Sequence, residues 1–576
     1  MTESVNRIRM QLSREDGLKE LDKVVLKNGY VGGNPYSFKD HEYQIEILKD
    51  TRSRISVQKC SQVGLSELMV QKILAMCATM NHTRIIFTLP TREMAMAFSK
   101  DRFDGAIEQS PLYTGMIERA SNSATQKKIG TCTLYIAGSF GANSAISVPA
   151  ECVISDEEDF SNEVILGKLN SRLRHASLCD ERGNRGIRMR FSTPTVDGYG
   201  VNNGFTAGDQ RYYFCKCNHC EKWTLPDFFH SFVLKGLDRS PRELSKEDLR
   251  DRRLLVDETY IRCNHCGKDI AEALKDSTRR QWVSKYPDVW EHSYQVSPWD
   301  VPVYNPPNSV LKQLGDYPLK SDFYNFVIGI PYSDSENTFE TSTQFREKQS
   351  VVVPVPPANA KREGDTFAGL DIGKTCHLTI FRRAGKDYEL IWCEKITNSK
   401  EDPAAPKILS RFDSYGVRKL CIDAGPDITL VNTLVSSRPG ISAVVYVRST
   451  TSLTAMDIKQ EGTVINSDRT KTLSLLLAKH NSGEIKYPNN YEMTYDIFEH
   501  LKTTKKIRER SADGNMIEKF CKSSDTDHWV HSMNYAMIAA ATSEIDTTCI
   551  IPIGAEIGKA RMGGIVENTV NRMFYW

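Results

Sequence analysis

The sequence predicts an α/β protein made of two α/β units in tandem, the first built on a parallel sheet. Three observations carry this. Between Ile55 and about Pro194, short apolar runs alternate with amphipathic stretches, the pattern of buried strands and the helices that cover them. The same alternation resumes after residue 366. Between the two, Pro354, Pro356 and Pro357 stiffen a stretch with neither helical nor strand period, which marks a linker. A chain of 576 residues is too long for one hydrophobic core, so several domains are expected in any case.

In chain order, residues 1–50 are charged and read as a helical segment that ends in an aromatic stretch, Tyr36 to Gln44. In the core at 51–210, residues 54–57, 83–89, 132–137, 151–155 and 187–193 read as buried strands, and 66–80 as a helix. Residues 211–353 carry paired cysteines and an aromatic stretch, 282–330, helical towards its end; this subdomain completes the first half. The linker spans 354–365. In the second unit, 366–550, residues 367–382, 388–394, 419–423 and 443–447 read as strands, and 470–480 and 528–542 as helices. The stretch 551–576 reads as a tail; its aromatic end, Phe574-Tyr575-Trp576, suits a partner's groove.

Hydrophobic residues make up 40% and charged residues 26%, the balance of a globular protein. No apolar run reaches the roughly 18 residues that a membrane span needs. The first dozen residues are polar and lack a secretory core, so the expected location is the cytoplasm. Fifteen cysteines, mostly single in apolar segments (Cys77, Cys132, Cys152, Cys421), fit a reducing compartment. The net charge of +2 creates no global basic field, so nucleic-acid contacts must come from local patches. The densest is 502–510, with Lys127-Lys128 and 182–190 behind it; each reads equally as a solvated face or loop.

The segment Gln58-Lys-Cys-Ser-Gln-Val-Gly-Leu-Ser66 follows a strand and opens a helix, where a phosphate-binding loop belongs. It departs from the standard pattern: the first glycine is absent, Leu65 stands at the lysine position, and Lys59 sits at the front of the loop. Gly64 and Ser66 keep the end of the pattern, and Ser66 is the hydroxyl expected to reach Mg²⁺. Some 90 residues on, an apolar strand ends in Asp156-Glu157. At a strand's C-terminal edge one carboxylate can hold the metal and the next can polarise water; we assign Asp156 to the first role and Glu157 to the second. A third strand ends in Ser192-Thr193-Pro194, hydroxyls suited to sensing a γ-phosphate or to an ordinary turn.

Lys59, Leu89-Pro90-Thr91, Asp156-Glu157 and Ser192-Thr193-Pro194 occur in the order found in one family. The sequence resembles the large terminase subunit of tailed double-stranded DNA phages, in its lambda-like branch. The resemblance implies that Lys59 takes the phosphate-contacting role, that Tyr43 and Gln44 form the element that contacts adenine, and that Ser192 and Thr193 couple hydrolysis to movement. It also implies an arginine after the acidic strand, for which Arg174 and Arg172 are both candidates.

Cys217-x-x-Cys220 and Cys263-x-x-Cys266 are two knuckles able to place four thiolates around Zn²⁺. Their separation of 42 residues implies an insertion, and Cys215, His219 and His265 are possible substitute ligands. A closed four-thiolate site serves folding or docking.

After the linker, Asp371 in Leu370-Asp-Ile-Gly373 resembles the first strand of the RNase H-like nuclease fold, which gathers acids around two divalent metals. Asp423, at the end of the apolar run 419–423, is the second candidate. Asp527, ahead of the last helix, is the third, with the register open by a residue or two because many family members carry an acid where His528 or His531 stands; Asp468 is a further candidate. Taken singly, each of these acids reads as a turn or helix-cap residue.

The implied function is a packaging motor with ATP, Mg²⁺ or Mn²⁺ and structural Zn²⁺ as cofactors. The implied partners are double-stranded DNA, the small terminase subunit, the capsid portal protein and further copies of the chain in a ring, in the host cytoplasm and away from membranes. Two other functions compete. A helicase-like repair ATPase would need a second motor domain, whereas 362–550 offers acids and no second phosphate loop. A zinc-stabilised DNA-binding scaffold fits the missing loop residues but not the retention of both Asp156 and Glu157.

Overall fold

The computed structural model describes residues 18–139 (except 19), 148–317, 319–332, 337–354, 357, 364–447, 458–510, 516–522 and 526–548. The tail expected at 551–576 and most of the linker lie outside these residues, as does the opening of the N-terminal segment. Among the described residues no helix is long and apolar enough to cross a membrane. The chain divides into two compact units: the part up to Ser342 together with Phe498–Asp527, and Thr343–Ile497 together with the part from His528 onward.

The first unit is built on a ten-stranded sheet. Its strands are β1 (Arg54–Lys59), β2 (Arg84–Leu89), β3 (Gln126–Ile129), β4 (Cys132–Gly138), β5 (Cys152–Asp156), β6 (Ile187–Ser192), β7 (Arg211–Lys216), β8 (Trp223–Thr224), β9 (Arg280–Ser284) and β10 (His292–Val296). The order is β8–β7–β10–β1–β6–β5–β2–β4–β3, with β9 on the outside of β7. From β7 to β4 every neighbouring pair is parallel. The five strands expected between 54 and 193 all form. β1, β2 and β5 are buried almost throughout, as continuous apolar runs require when both faces are covered, whereas β4 and β6 alternate buried and half-buried residues at their starts.

The sequence reading missed β10. His292–Val296 carries Ser and Gln among its apolar residues, yet it inserts beside β1 in the middle of the sheet. Residues after the cysteine pairs thus complete the sheet, rather than only a helical subdomain.

Helix α1 (Gln44–Lys49) leads into β1, and α2 (Leu65–Thr79) follows it. Lys72 of α2 is fully buried, and its Nζ donates to the carbonyls of Ile47 and Asp50 at the end of α1. Burial lowers its pKa to about 8. This clip fixes α1, and with it Tyr43 and Gln44, against the helix that opens at the loop. Helix α3 (Gly200–Ala207) packs on β1; its Gly204 leaves the space that the Arg190 guanidinium fills.

The second unit is an eight-stranded mixed sheet. It comprises β11 (Thr366–Asp371), β12 (Thr375–Ala384), β13 (Asp387–Thr397), β14 (Lys419–Asp423), β15 (Ile441–Val447), β16 (Lys459–Glu461), β17 (Val464–Asp468) and β18 (Ile485–Lys486). Their order is β16–β17–β15–β14–β11–β12–β13–β18. Helices α4 (Ala404–Ser414), α5 (Ile428–Ser437), α6 (Arg469–Asn481) and α7 (His528–Thr548) cover it. Gly369 explains how α7 seats on β11: a Cβ there would lie 1.9 Å from the Ser532 carbonyl oxygen, so only glycine admits the helix backbone this close. The Ser532 hydroxyl then donates to the Gly369 carbonyl at 2.9 Å.

The basic stretch 502–510, read as a solvated face or loop, forms instead strand β19 (Thr504–Arg510), paired with β20 (Met516–Lys522). This hairpin belongs with the first unit, where Ile507 packs on Val196 and Tyr199.

Candidate active sites

The loop between β1 and α2 sits at the C-terminal edge of the parallel sheet. Gly64 caps α2 with φ +77°, a conformation that costs other residues strain. Lys59, the last residue of β1, is buried and points its Nζ at Glu157 Oε1, 3.0 Å away. The Ser66 hydroxyl donates to Asp156 Oδ2 at 2.7 Å. The front lysine, the loop-end serine and both strand-end acids therefore meet at one point, although Lys59 and Glu157 lie 98 residues apart.

Burial opposes the charge on Lys59, but Glu157 and Asp156 outweigh it and hold its pKa above the ordinary value. Asp156 is pushed up to about 7, by burial first and by Glu157 second, against the pull of Lys59. Glu157 occupies the left-handed region at φ 54°, which turns its side chain back over the strand end.

The next two acids do different work. Glu158 accepts from Arg190 at 3.0 Å and Arg188 at 3.4 Å, and Arg190 also donates to Ser56 of β1. Asp159 accepts from the Thr195 N–H and hydroxyl, both at 2.9 Å, and from the Val201 N–H at 2.7 Å. Burial raises its pKa to about 7. Asp159 thus ties the segment after β6 to the acid turn. In that segment Ser192 donates to the Thr193 carbonyl, whereas the Thr193 hydroxyl is buried with no hydrogen-bond partner among the described residues.

Tyr43 and Gln44, expected to contact a base, are buried beneath the loop. The Tyr43 hydroxyl donates to the Val63 carbonyl, and Gln44 Nε2 to the same carbonyl at 3.2 Å. Their geometry is that of braces. Arg174 is exposed on the helical turn Ser171–His175, and Arg172 is half-buried there. Part of the two lesser basic patches is paired within the fold: Lys127 is buried against Asp104 at 2.6 Å, Lys128 pairs with Glu118 at the surface, and Arg188 and Arg190 hold Glu158. Sequence reading also missed the loop's rear support. Ser61 N–H donates to the Phe326 carbonyl and Cys60 N–H to that of Val296, with Gly329 (φ +77°) packed on the Cys60 amide. A glycine two residues before Pro331 was the available signal.

The two cysteine knuckles face each other. The four sulfurs of Cys217, Cys220, Cys263 and Cys266 lie within 4.8 Å of one another. Both knuckles use one turn, with the N–H groups of His219 and His265 donating to the sulfurs of Cys217 and Cys263. The imidazoles of His219 and His265 instead engage the carbonyls of Asp269 and Trp223, which leaves the thiols as the convergent donors.

In the second unit Asp371 and Asp423 end adjacent parallel strands, one residue past the registered pair Leu370 and Ile422. Burial, and then the neighbouring Asp371, raise the Asp423 pKa. His528, the first residue of α7, places Nδ1 2.9 Å from Asp371 Oδ2. Asp527, the third acid read from the sequence, pairs with Lys522 at 3.6 Å. His377, not singled out in the sequence, faces Asp371 across the β11–β12 hairpin. Asp468 caps α6 by accepting from the Lys471 N–H.

A lysine-fronted loop opening a helix, with two acids at a neighbouring strand end of a parallel sheet, defines the first unit as an ATPase domain of the phosphate-loop class. Residues 35–282 match the family model of the phage terminase large subunit gpA, ATPase domain. This segment, under half of the chain, is similar to the ATPase domain of the phage large terminase subunits. Among solved structures it is similar to the bacteriophage HK97 large terminase, at 11% identity and a TM-score of 0.49, covering 91% of this chain and 99% of that one. It is similar also to the large terminase of a thermophilic bacteriophage (10% identity, TM-score 0.29, covering 87% of this chain and 98% of that one). The large terminase nuclease of thermophilic phage G20c matches at 14% identity and a TM-score of 0.23, covering 31% of this chain and 83% of that one. No curated protein matches the chain in sequence.

Proposed function

We propose that the chain hydrolyses ATP to drive double-stranded DNA into a procapsid and cuts concatemeric DNA with a metal-dependent endonuclease in an RNase H-like second unit. The observation that carries the reading is the convergence of Lys59, Ser66, Asp156 and Glu157 at one sheet edge, inside the segment that matches the family.

Lys59, the loop amides up to Gly64, Ser66 and Asp156 are the groups that would hold ATP and Mg²⁺. The bound metal neutralises phosphate charge. A phosphate that draws Lys59 away frees the Glu157 carboxylate to orient and deprotonate water. The Thr193 hydroxyl, buried without a partner among the described residues, and Ser192 beside it are suited to meet the γ-phosphate. Asp159 carries a shift of that segment to the acid turn. Tyr43 and Gln44 act on the nucleotide by holding the loop, and Arg174 or Arg172 completes the site.

Asp371, Asp423 and Asp527 are the acids read from the sequence as holding Mg²⁺ or Mn²⁺, whose chemistry is the activation of water for phosphodiester cleavage. The four cysteines fit structural Zn²⁺, being convergent thiols with their histidine neighbours engaged elsewhere. The small terminase subunit, the portal and a ring of copies in the host cytoplasm follow from the family.

Purified protein tests this with two assays, ATP hydrolysis and nicking of supercoiled plasmid. Glu157→Gln is expected to lose the first activity only, and Asp371→Ala the second only. Full hydrolysis by Glu157→Gln, or full nicking by a folded Asp371→Ala, overturns the corresponding half.

A further inference from the structure

We propose that a cavity behind the phosphate loop binds a small, neutral, planar aromatic molecule with an amide-like edge, and that the loop stiffens when the cavity is filled. The inference rests on the ATPase reading only for what the loop then does with nucleotide.

The cavity lies within the first unit and holds about 300 Å³. That is the lower end of the range of ligand sites and suits a one- or two-ring molecule. Its walls are apolar and aromatic: Phe205 of α3, Leu225 and Phe228 after β8, Trp299 after β10, and Ile328 and Ile330.

Three amide side chains also line it, Gln58 of β1, Asn202 of α3 and Gln295 of β10, and all three are buried. They form a chain. Asn202 Nδ2 donates to Gln58 Oε1 at 2.8 Å, Gln58 Nε2 donates to Gln295 Oε1, and Gln295 Nε2 donates to the Gly329 carbonyl at 2.8 Å. An amide nitrogen carries two hydrogens and an amide oxygen two lone pairs. Among the described residues, Asn202 Nδ2 and Gln295 Nε2 each donate once, and Gln58 Oε1 and Gln295 Oε1 each accept once. Buried polar groups with capacity to spare favour a partner that supplies both a carbonyl and an N–H, and the aromatic walls favour a flat ring. The two carboxylates on the lining are already used. Asp227 accepts from the Phe229 and His230 N–H groups, and Asp300 pairs with Arg280 at 2.6 Å, so the ligand need carry no charge.

One wall of the cavity is also the rear support of the loop. Ile328 and Ile330 flank Gly329, which packs on the Cys60 amide, and the Phe326 carbonyl accepts from the Ser61 N–H at 2.7 Å. At the other end of the amide chain, Gln58 directly precedes Lys59. A ligand that fixes residues 326–330 and the amide chain therefore takes freedom from the loop.

Full-length protein is titrated with 2-quinolone, a flat two-ring lactam, and with quinoline, which lacks the lactam N–H and carbonyl. Ligand-observed NMR follows binding. A molecule of this size is expected to bind with a Kd of about 0.1–1 mM. Quinoline should bind about fivefold more weakly or worse, the value of one hydrogen bond. Leu225→Trp and Thr206→Trp plug the cavity from two different elements, and each should weaken 2-quinolone by about tenfold or more. At saturation 2-quinolone should slow hydrogen exchange at the Cys60 and Ser61 amides by about threefold or more. Absence of saturable binding up to the solubility limit, or unchanged binding in both plugs with the fold intact by circular dichroism, overturns the site. Equal binding of quinoline overturns the amide edge, and unchanged exchange at the loop overturns the coupling. ATP hydrolysis separates the two readings. Plug-sensitive 2-quinolone binding in a protein that neither binds nor hydrolyses ATP sinks the ATPase reading and leaves the site. Glu157-dependent hydrolysis without 2-quinolone binding sinks the site and leaves the ATPase.

Discussion

At the end of β5, Asp156 and Glu157 face a lysine and a serine hydroxyl 3.0 and 2.7 Å away. At the end of β11, Asp371 faces a second acid on the neighbouring strand and an imidazole at the start of α7. The first acid pair is compensated by the chain's own cation, so the site is assembled before any ligand arrives. The second pair is met by imidazole, His528 on Asp371 at 2.9 Å, and, after burial, the Asp371 charge still helps to raise the Asp423 pKa. Preorganisation at one strand end and stored repulsion at the other make opposite predictions for the same kind of substitution.

The largest expected effects test whether the two sites are chemically separate. Glu157→Gln should slow ATP hydrolysis by about 10²–10⁴-fold, the usual contribution of a general base. Plasmid nicking without ATP should be unchanged. Asp371→Asn should reverse the pattern. Loss of both activities in either variant, with the fold intact by circular dichroism, would break the separation.

Stability comes next, and here the signs differ. Lys59→Met leaves buried Asp156 and half-buried Glu157 without their cation and should cost up to about 3–5 kcal/mol in urea denaturation. Asp371→Asn, measured in chelator, should leave stability unchanged or raise it by about 1 kcal/mol, as removal of strain at a functional site does. A loss of stability in Asp371→Asn would show that the second acid pair is compensated after all.

A smaller effect is a pH slope confined to the first site. Burial lifts the folded-state pKa of Asp156 to about 7, above the roughly 3.9 of an unfolded aspartate. The folded state holds that proton more tightly. Its stabilising contribution is complete below about pH 4 and is lost as the pH rises through about 7. Nucleotide-free Asp156→Asn should lose less stability across this window than the wild type, by up to about 1.4 kcal/mol per pH unit, the value of one proton. Equal slopes would mean that Asp156 is ionised throughout.

What the sequence disclosed follows the same division. Lys59, Asp156 and Glu157 were legible because each follows or ends an apolar run, and Ser66 because it keeps the end of a phosphate-loop pattern; one strand edge gathers them. The acid run 156–159 hid the split between its first two members and its last two, since burial against Arg190 and Thr195 is a property of other segments. His377 was invisible, and His528 was noted only as a place where family members carry an acid, for a related reason. One depends on hairpin register and the other on the approach of a helix to Gly369, and neither leaves a local pattern. Strand β10 was passed over because its Ser and Gln look solvent-facing until β1 and β7 enclose them.

The smallest effect sharpens the role of Tyr43. Its hydroxyl donates to the Val63 carbonyl, one residue before Gly64 and the start of α2. A neutral hydrogen bond of this kind contributes about 1 kcal/mol, so Tyr43→Phe should weaken nucleotide binding by roughly fivefold or less. The discriminating quantity is the base dependence, not the size. A brace acts through the loop, which touches only phosphates, so ATP and GTP affinities should fall by the same factor. A residue that reads adenine would lower ATP affinity alone and narrow the preference between the two. Equilibrium titration of both nucleotides against wild type and Tyr43→Phe decides the matter, and unequal losses would return Tyr43 to the base-contacting role that the family implies.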